Sequence, residues 1–259
     1  MIDKKIIITS TVSNAQDFLY PFFENVKKIS KLFTDVKCII VESNSTDNTI
    51  DILKDVKKNI YDFDGYSMGV ISSNSRTDRI ATSRNYYLDI VETQYLDYDY
   101  LLVMDANQTN IDVIDDKAIE SNFQHNGWDM MCANQSILYY DLWALRHDYL
   151  MPDDCWTKIW NKPSFMSIED AKNIWLTSRF INIPSNHPPI KVESAFGGSA
   201  FIDISKIKGA RHTGITRHGT EICEWVEFCR SLNNGNSKIF INPKFINQQS
   251  RNTHTLCKE

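Results

Sequence analysis

The sequence predicts an α/β fold in which a mostly parallel central sheet is flanked by helices. Short apolar runs rich in β-branched residues, such as residues 5–9 and 36–41, alternate with longer segments. In the longer segments the apolar residues recur near helical spacing, as do Phe18, Phe22 and Val26. Strands that are apolar throughout are buried on both faces, and their alternation with amphipathic helices is typical of a parallel sheet.

The first half of the chain is the more regular. Asn14 is the predicted cap of the first helix, and Asp47 or Asn48 that of the second. The predicted elements are a strand at 5–9, a helix at 14–33, a strand at 36–41, a helix at 49–57, a strand at 69–73, a helix at 76–92 and a strand at 100–104.

The second half is rich in proline and aromatic residues. Six of the seven prolines lie between residues 152 and 243, and segment 139–189 carries many aromatic residues, so we expect a specificity region there. Ser167 and Asp170 resemble a capping box. The predicted elements are a strand at 128–133, a helix at 168–179, a return to the sheet at 190–198, a helix at 220–232 and a short strand at 239–243. With no repeat or linker, one domain over residues 1–259 is the simplest interpretation.

Composition excludes several classes of protein. The chain has 259 residues, of which 42% are hydrophobic and 24% charged, which is typical of a globular protein rather than a disordered one. A net charge of -5 provides no basic field for duplex nucleic acid, so no nucleic-acid partner is expected. No apolar run is long enough for a signal peptide or membrane helix, so we expect a soluble cytoplasmic protein. Six scattered cysteines are predicted to be reduced core residues, namely Cys38, Cys132, Cys155, Cys223, Cys229 and Cys257.

Two acidic residues stand at the ends of predicted strands. Glu42 ends one strand, and Asp105 directly follows another, with Asn107 two residues later. Polar residues at the carboxyl ends of parallel strands line the ligand crevice of such sheets. Asp105 and Asn107 carry the oxygen ligands that a cation on a diphosphate needs, and Glu42 could accept hydrogen bonds from a ribose or base. An ordinary turn after the strand and a helix cap without a ligand are the competing interpretations.

An arginine cluster follows in the segment R-T-D-R-I-A-T-S-R-N at 76–85. Arg76 and Arg79 occupy neighbouring helical positions, with Arg84 about one turn further on, beside Asn85. Guanidinium groups suit a diphosphate, while a solvated basic face is the alternative.

These motifs, taken in order along the chain, resemble those of GT-A glycosyltransferases, in particular the capsule-associated mannosyltransferase-like group. The likeness extends from about residue 6 to residue 247. It is carried by V-E-S-N-S-T-D-N-T at 41–49, the arginine segment at 76–85, the strand ending in Asp105, Y-D-L-W-A-L-R at 140–146, S-A-F-G-G at 194–198 and C-E-W-V at 223–226.

The resemblance implies a GT-A-like, Rossmann-like fold with a nucleotide-binding half at 1–110 and an acceptor-binding half at 111–259. It also implies a nucleoside-diphosphate sugar donor, a glycan or glycoconjugate acceptor, and Mn²⁺ or Mg²⁺ on the diphosphate. By position, the residues expected at the donor are Thr9, Glu42, Arg79, Arg84, Asp105, Ala106 and Asn107. Asp105 would be the first residue of the D-x-D metal motif, and Asn107 replaces its second aspartate, so the metal ligands Asp105 and Asn107 bring only one charge.

The likeness assigns the donor sugar and the acceptor to the second half. Tyr140, Asp141 and Trp143 would hold the sugar, since aromatic faces stack on sugar rings and a carboxylate fixes hydroxyl groups. Gly197 and Gly198 would let the backbone approach a ligand closely. For Trp143 the alternative is a core position, and for the glycine pair a simple turn.

Glu224 is the expected catalytic carboxylate, together with Asp141. It lies in C-E-W-V, where the family has C-E-H-V, and would deprotonate or hold the acceptor hydroxyl. Glu221 and Glu227 flank it at helical spacing, so the sequence alone does not decide which one faces the crevice. His212 and His218 precede the helix as additional metal or diphosphate ligands, or as solvated loop residues.

The sequence therefore predicts a hexosyltransferase of polysaccharide biosynthesis, with mannose among the candidate sugars. The alternative is a catalytically degenerate protein that binds nucleotide-sugar or glycan. It is suggested by Asn107, which replaces the second aspartate of the metal motif. A nucleotidyltransferase is disfavoured, because residues 9–14 contain neither the glycine nor the lysine that its phosphate loop would need.

Overall fold

The central sheet contains eight strands. The computed structural model describes residues 1–248, so Cys257 lies outside the described residues. The strands are β1 (Ile2–Val12), β2 (Phe33–Glu42), β3 (Asp64–Ser67), β4 (Tyr100–Met104), β5 (Met130–Gln135), β6 (Ile190–Val192), β7 (Ser199–Asp203) and β8 (Ile239–Gln248). The helices are α1 (Leu19–Ser30), α2 (Thr49–Asn59), α3 (Arg76–Gln94), α4 (Asp116–Glu120), α5 (Cys155–Trp160), α6 (Ile168–Trp175) and α7 (Glu224–Ser231).

The strand order is β3-β2-β1-β4-β7-β5-β8-β6. The first four strands of this order are mutually parallel, and β5 and β8 are parallel to each other. β7 runs antiparallel between β4 and β5 and joins these two parallel groups, while β6 is an antiparallel edge strand. The predicted α/β class with a mostly parallel sheet flanked by helices is confirmed.

Helices cover both faces of the sheet. Along β1, Ile6 and Ile8 point into a core that includes residues of α1, α2 and α4. Ile7, between them, points into a second core that includes residues of α3, α5 and α7. Because successive side chains of a strand alternate between its faces, a strand buried on both faces must be apolar throughout. This explains the continuous run of isoleucines.

Asn14 does not cap the first helix, contrary to the prediction. It has a left-handed backbone (φ 49°), and its Oδ1 accepts hydrogen bonds from the N–H groups of Thr46 and Asp47. The helix begins only at Leu19, after Phe18, which provides no side-chain cap. Asn14 therefore shapes the loop after β2, a long-range role that local sequence does not reveal.

The prediction of a strand at 69–73 was also wrong. β3 lies earlier, at Asp64–Ser67, and pairs with the end of β2. Gly69 has a left-handed backbone (φ 64°), and Val70 is 82% exposed, so this apolar run turns away from the sheet. The sequence of β3 is D-G-Y-S, which has no apolar pattern. Backbone pairing with β2 at the edge of the sheet fixes its position.

In the second half, the segment 190–198 that was predicted to rejoin the sheet contains only the short strand β6. The following strand, β7, was not predicted. β6 ends at Val192, and the glycine pair then leads into the central strand β7. The predicted helix at 220–232 is shorter, because α7 begins at Glu224. β8 continues through Pro243, where its register with β5 shifts, so the missing proline N–H interrupts no regular ladder.

The five described cysteines are free and buried, as predicted. Burial raises the pKa of the Cys38 thiol above its ordinary value, which favours the inert, protonated form. Within residues 1–248, no helix has both the length and the apolar character needed to cross a membrane.

Gly197 and Gly198 directly precede β7, the strand that joins the two parallel groups of the sheet. Both have left-handed backbones, with φ of 68° and 82°. A Cβ on Gly197 would lie 2.4 Å from the carbonyl oxygen of Ala133, and one on Gly198 would lie 2.7 Å from the side chain of Thr109. Both space and backbone conformation therefore require glycine here.

We expect Gly197→Ala to destabilise the protein more than Gly209→Ala. Both positions have positive φ, which costs about 1–2 kcal/mol for alanine. A Cβ at Gly209 would meet no atom within 4 Å, whereas at Gly197 it adds an overpacking cost of about 1–3 kcal/mol. Urea unfolding measures both free energies, and equal losses would contradict a steric role for Gly197.

Candidate functional site

A cluster of polar side chains lies where β1, β2 and β4 end. Glu42 is the last residue of β2, and Asp105 directly follows β4. These three strands are parallel neighbours, so their carboxyl ends meet at one edge of the sheet. The backbone N–H of Asp105 donates to the carbonyl of Gly198 at 2.9 Å, which ties this edge to the glycine pair.

A buried arginine links two of the predicted acidic residues. Arg84 of α3 is 3% exposed, and its Nη2 donates to Oδ1 of Asp105 at 2.9 Å. Its Nε lies 3.3 Å from Oε1 of Glu224, the first residue of α7. One cation therefore joins a central helix, a strand end and the start of the last helix.

Two aromatic rings accompany the guanidinium of Arg84. Phe196 and Trp225 stack with ring centroids 4.0 Å apart, and Cζ of Arg84 lies 5.0 Å and 4.7 Å from their centroids. Such cation–π contacts are stabilising when the cation is desolvated. Trp225 thus packs against the cation at the position where the resembled family has histidine.

Arg84 is ionised at every ordinary pH. Burial alone would lower its pKa, but Asp105, Tyr87 and Glu224 together raise the pKa above its usual value. Removing this charge would leave the buried carboxylate of Glu224 and the partly exposed carboxylate of Asp105 without a compensating cation.

Among the three glutamates near α7, Glu224 lies in the cluster. Its side chain is buried, whereas Glu227 pairs with Arg230 at 2.6 Å and Glu221 accepts from the Ser75 hydroxyl at 2.6 Å. Burial raises the pKa of Glu224, and Arg84 opposes this shift. A carboxylate with a raised pKa is a stronger base than an exposed one.

Asp141 is the third carboxylate of the cluster. It is only partly buried, and its Oδ2 accepts the N–H of Gly197 at 2.9 Å. Loss of solvent raises its pKa from 3.8 to about 7, helped by the negative charges of Asp105 and Glu224. At neutral pH, Asp141 is therefore near the midpoint of its titration.

The D-x-N segment contains one carboxylate, that of Asp105, which could hold a cation. Asn107 Oδ1 accepts the N–H of Thr109 at 2.9 Å and so caps a short 3₁₀ helix, which is the turn that the sequence allowed as an alternative. Ala106 between them is buried. In the described part of the chain, no three His, Cys, Asp or Glu residues form a metal-binding group. The residues fit a cation held by the carboxylate of Asp105 with phosphate oxygens completing its shell, an arrangement common for Mg²⁺.

The two predicted nucleoside contacts are buried. Glu42 accepts hydrogen bonds from the N–H of Ser45 at 3.0 Å and from the hydroxyl of Ser67 at 2.7 Å. It therefore holds the loop after β2 and the end of β3. Thr9 is fully buried in β1, and its hydroxyl has no hydrogen-bond partner among the described residues.

The other two arginines of the cluster differ from Arg84 in exposure. Arg79 is half-buried, and its Nη1 donates to the carbonyl of Ser73 at 2.6 Å, in the loop before α3. Arg76 is exposed, and its charge lowers the pKa of Glu224. Arg76 is therefore an exposed arginine that is electrostatically coupled to Glu224.

Tyr140 and Trp143, both predicted sugar contacts, pack inside the protein. The hydroxyl of Tyr140 accepts from Thr109 at 3.3 Å and lies against Gly198. Trp143 is half-buried and contacts other tryptophans in the second half. Gly197 and Gly198 are required by these internal contacts, whatever additional role they have toward a ligand.

The two predicted histidines lie in different surroundings. His212 is buried, stacks on Phe228 at 4.4 Å, and its Nδ1 lies 3.2 Å from the carbonyl of Glu224. Burial lowers the pKa of His212 far below its ordinary value, so it is neutral. His218 is exposed and accepts from Nε of Arg217.

Sequence reasoning missed a buried amide network beneath the cluster. Asn247 donates to the carbonyl of Gly197 at 2.9 Å, and Asn110 donates to the carbonyl of Gly198 at 2.9 Å. Ser199 donates to Asn110 at 2.6 Å, and Gln135 donates to the carbonyl of Gly197 at 2.9 Å. The only signal in the sequence is that amides occur in or beside apolar strands, which suggests polar partners there.

We expect Arg84→Met to reduce the free energy of unfolding by about 3–5 kcal/mol, because it leaves the buried Glu224 and the partly exposed Asp105 without their cationic partner. Arg230→Met is the matched control, since Arg230 makes an exposed ion pair with Glu227 that contributes at most about 1 kcal/mol. Denaturant unfolding of both variants measures the difference. Similar losses would show that Arg84 does not hold the cluster together.

We also expect Asp141 to make stability depend on pH. Between about pH 4 and pH 7 the folded protein binds more protons at Asp141 than the unfolded chain, so its contribution to the unfolding free energy falls as pH rises. Asp141→Asn keeps an acceptor for the Gly197 N–H but removes this titration. Urea curves across this range should show the wild type losing stability relative to the variant, and parallel pH curves would contradict the raised pKa.

One family model matches part of the chain, and solved structures match its fold. Residues 6–112, about two fifths of the chain, match the family model described as "Glycosyl transferase family 2". No curated protein matches the sequence significantly.

Among solved structures, TarS of S. aureus in complex with UDP matches with a TM-score of 0.50 and 13% identity, over 92% of this chain and 57% of that chain. The UDP-GlcNAc complex of TarS gives a TM-score of 0.47 at 13% identity, over 92% of this chain and 55% of that one. Mannosyltransferase PcManGT from Pyrobaculum calidifontis, solved with GDP-Man and Mn²⁺, gives 0.36 at 12% identity, over 52% and 36%.

This chain thus spans little more than half the length of the TarS 1–349 chain. The match to TarS with UDP concerns the fold, which is the α/β architecture with a mostly parallel sheet described above. The protein therefore has a GT-A-like fold, and residues 6–112 within it match the glycosyl transferase family 2 model.

Proposed function

We propose that this protein is a glycosyltransferase that moves a hexose from a nucleoside-diphosphate sugar to a hydroxyl group of a glycan acceptor. The observation that carries the proposal is the pairing of buried Arg84 with Asp105 and Glu224 at the carboxyl edge of the strands, with Asp141 electrostatically coupled to both carboxylates. In open α/β sheets this edge is where ligands bind. The family match over residues 6–112 and the TarS fold, solved with UDP, support it.

The donor diphosphate would lie near Asp105 and Arg76. Asp105 is 24% exposed, and Arg76 is exposed and electrostatically coupled to Glu224. When bound, Mn²⁺ or Mg²⁺ would act as a Lewis acid that neutralises the departing diphosphate, with Asp105 as its protein ligand and the amide of Asn107 nearby. Arg76 would bring a positive charge toward the same diphosphate, and such electrostatic stabilisation is usually the largest catalytic contribution.

Two carboxylates are candidates for the base that removes the acceptor proton. We favour Asp141, because it is partly exposed and its pKa of about 7 suits a base at neutral pH. Glu224 is buried against the positive charge of Arg84, which suits a residue that positions Asp105 and the acceptor. Loss of activity in Glu224→Gln with an unchanged pH profile, against a shifted profile in Asp141→Asn, would separate these roles.

The roles of the two halves of the chain and the residues that contact the nucleotide are also proposals. We propose that residues 1–110 bind the nucleotide, with Thr9, Glu42, Arg79 and Ala106 forming its walls, and that residues 111–259 bind the acceptor. Mannose as the donor sugar, a role in polysaccharide biosynthesis and the likeness to the capsule-associated mannosyltransferase-like group stay predictions.

A binding protein without catalysis is the second candidate. One observation favours it, namely that Asn107 replaces a metal-binding carboxylate and its amide oxygen already accepts the N–H of Thr109. Tight binding of a donor, without transfer or hydrolysis toward any acceptor, would support this candidate over the enzyme.

We expect one nucleotide among UDP, GDP, CDP and dTDP to raise the melting temperature of the protein in the presence of Mn²⁺. A ligand at one hundred times its Kd stabilises the folded state by about 2.7 kcal/mol. Asp105→Ala should abolish the metal-dependent part of the shift, because it removes the charged ligand. Differential scanning fluorimetry, with each nucleotide and its sugar, provides the measurement.

Asp62→Ala is the matched control, since its carboxylate is 90% exposed and lies 3.8 Å from Lys57, away from the cluster. It should leave the nucleotide shift unchanged. Absence of a shift with every nucleotide would overturn the donor site and the proposed transferase. A shift that survives Asp105→Ala would place the donor away from Asp105.

A further inference from the structure

Three tryptophans in the second half form a cluster that reaches the surface. Trp156 and Trp160 of α5 stack with ring centroids 5.9 Å apart and planes inclined by 29°. Trp143 meets both rings edge to face, at 6.4 Å from each. Trp143 and Trp156 are half-buried, whereas Trp160 is 47% exposed. We call these three residues the tryptophan cluster.

Asp154 anchors Trp143 in the tryptophan cluster. The indole N–H of Trp143 donates to Oδ2 of Asp154 at 3.0 Å, and the same oxygen pairs with Arg146 at 2.7 Å. Asp154 also caps α5 by accepting the N–H of Thr157 at 2.8 Å. A spacing of four residues places Trp156 and Trp160 on the same side of α5. These contacts hold Trp143 and the start of α5 in place, and the rings of Trp156 and Trp160 pack on Trp143.

Through Trp143, the tryptophan cluster is a near neighbour of Asp141. Trp143 follows Asp141 by two residues, so their Cα atoms are at most about 7 Å apart. Asp141 is the carboxylate that contacts Gly197 and that is coupled to Asp105 and Glu224. A ligand of several sugar units with one unit at Asp141 would have its following units near the tryptophan cluster.

The chemistry of this surface matches a neutral sugar chain. Aromatic side chains present an apolar ring beside polar neighbours, which matches the mixed surface of a sugar ring. Lys158 of α5 pairs with Asp153 at 3.0 Å. Segment 148–179 contains five acidic and four basic residues, so it provides no basic field toward an anionic membrane.

We propose that the tryptophan cluster is an acceptor subsite, in which the exposed face of Trp160 stacks on a hexose unit beyond the one that receives the transferred sugar. This inference rests on the proposed transferase function and specifies its acceptor as a chain of at least two sugar units. Trp143 acts as the rigid base of the subsite rather than as a direct contact.

Oligosaccharide binding to Trp160 variants tests the proposal. The probes are short oligomers of mannose, glucose and N-acetylglucosamine, titrated by saturation-transfer NMR against the wild type, Trp160→Ala and Trp160→Phe. We expect at least one oligomer to bind more tightly than its monosaccharide. Trp160→Ala should weaken that oligomer by about tenfold, and Trp160→Phe, which keeps a ring, should retain most of the affinity.

Tyr20→Ala is the matched control, because Tyr20 is a 43% exposed aromatic residue on α1. It should leave oligosaccharide binding unchanged, and all variants should keep the wild-type melting temperature within about 2 °C, as exposed positions do. The nucleotide-induced shift is measured on the same samples. A normal nucleotide shift without oligosaccharide binding overturns the subsite and leaves the transferase intact, whereas loss of the nucleotide shift in the wild type counts against the transferase itself.

Two other results would overturn the subsite. One is equal oligosaccharide affinity for the wild type and Trp160→Ala. The other is a different occupant, shown if Trp160→Ala abolishes dimer formation in sedimentation or binding to vesicles made of equal parts of phosphatidylcholine and phosphatidylglycerol.

Discussion

The ion pairs of Arg84 are the interaction on which the site depends. A guanidinium that is almost fully buried must be compensated, and in this protein Asp105 and Glu224 provide the compensation from two separate elements. Because the cost of separating the three charges is high, the end of β4 and the start of α7 have little freedom to move independently. The rings of Phe196 and Trp225 exclude water from the cation and so strengthen these interactions.

This constraint also gives the three carboxylates different properties. Glu224 lies against the cation and is buried, Asp105 shares the cation but reaches solvent, and Asp141 has a backbone N–H as its partner instead of a guanidinium. Their different environments give the three carboxyl groups different tendencies to hold a proton. Under the proposed function, this difference would let one site both bind a charged donor and accept a proton. The exposed Arg76 extends the positive charge to the surface of the site.

The sequence predicted the features that depend on local pattern. The apolar strands β1, β2 and β4 were found because they are continuous runs bounded by polar residues, and Asp105 was placed correctly because β4 ends where its apolar run ends. β3 and β7 were missed for a physical reason. The first is fixed by backbone pairing at an edge, and the second lies directly behind two left-handed glycines. Long-range partners could not be predicted either. The sequence around Arg84 gives no indication that its charge is buried between α7 and β4. The donor and metal roles of the individual residues stay predictions.

The placement of β7 has a consequence for how this chain folds during synthesis. The strands β1 to β4 form a parallel group early in the sequence, but β4 pairs on its other side with residues 199–203, about a hundred positions later. Until those residues leave the ribosome, the buried strand β4 presents an unpaired apolar edge, which is the kind of edge that associates with other chains. Non-local pairing of this kind also slows folding, because a long loop must close first. The strand that joins the two parallel groups is therefore also the one whose late synthesis leaves the nascent chain open to aggregation until residue 203 has been made.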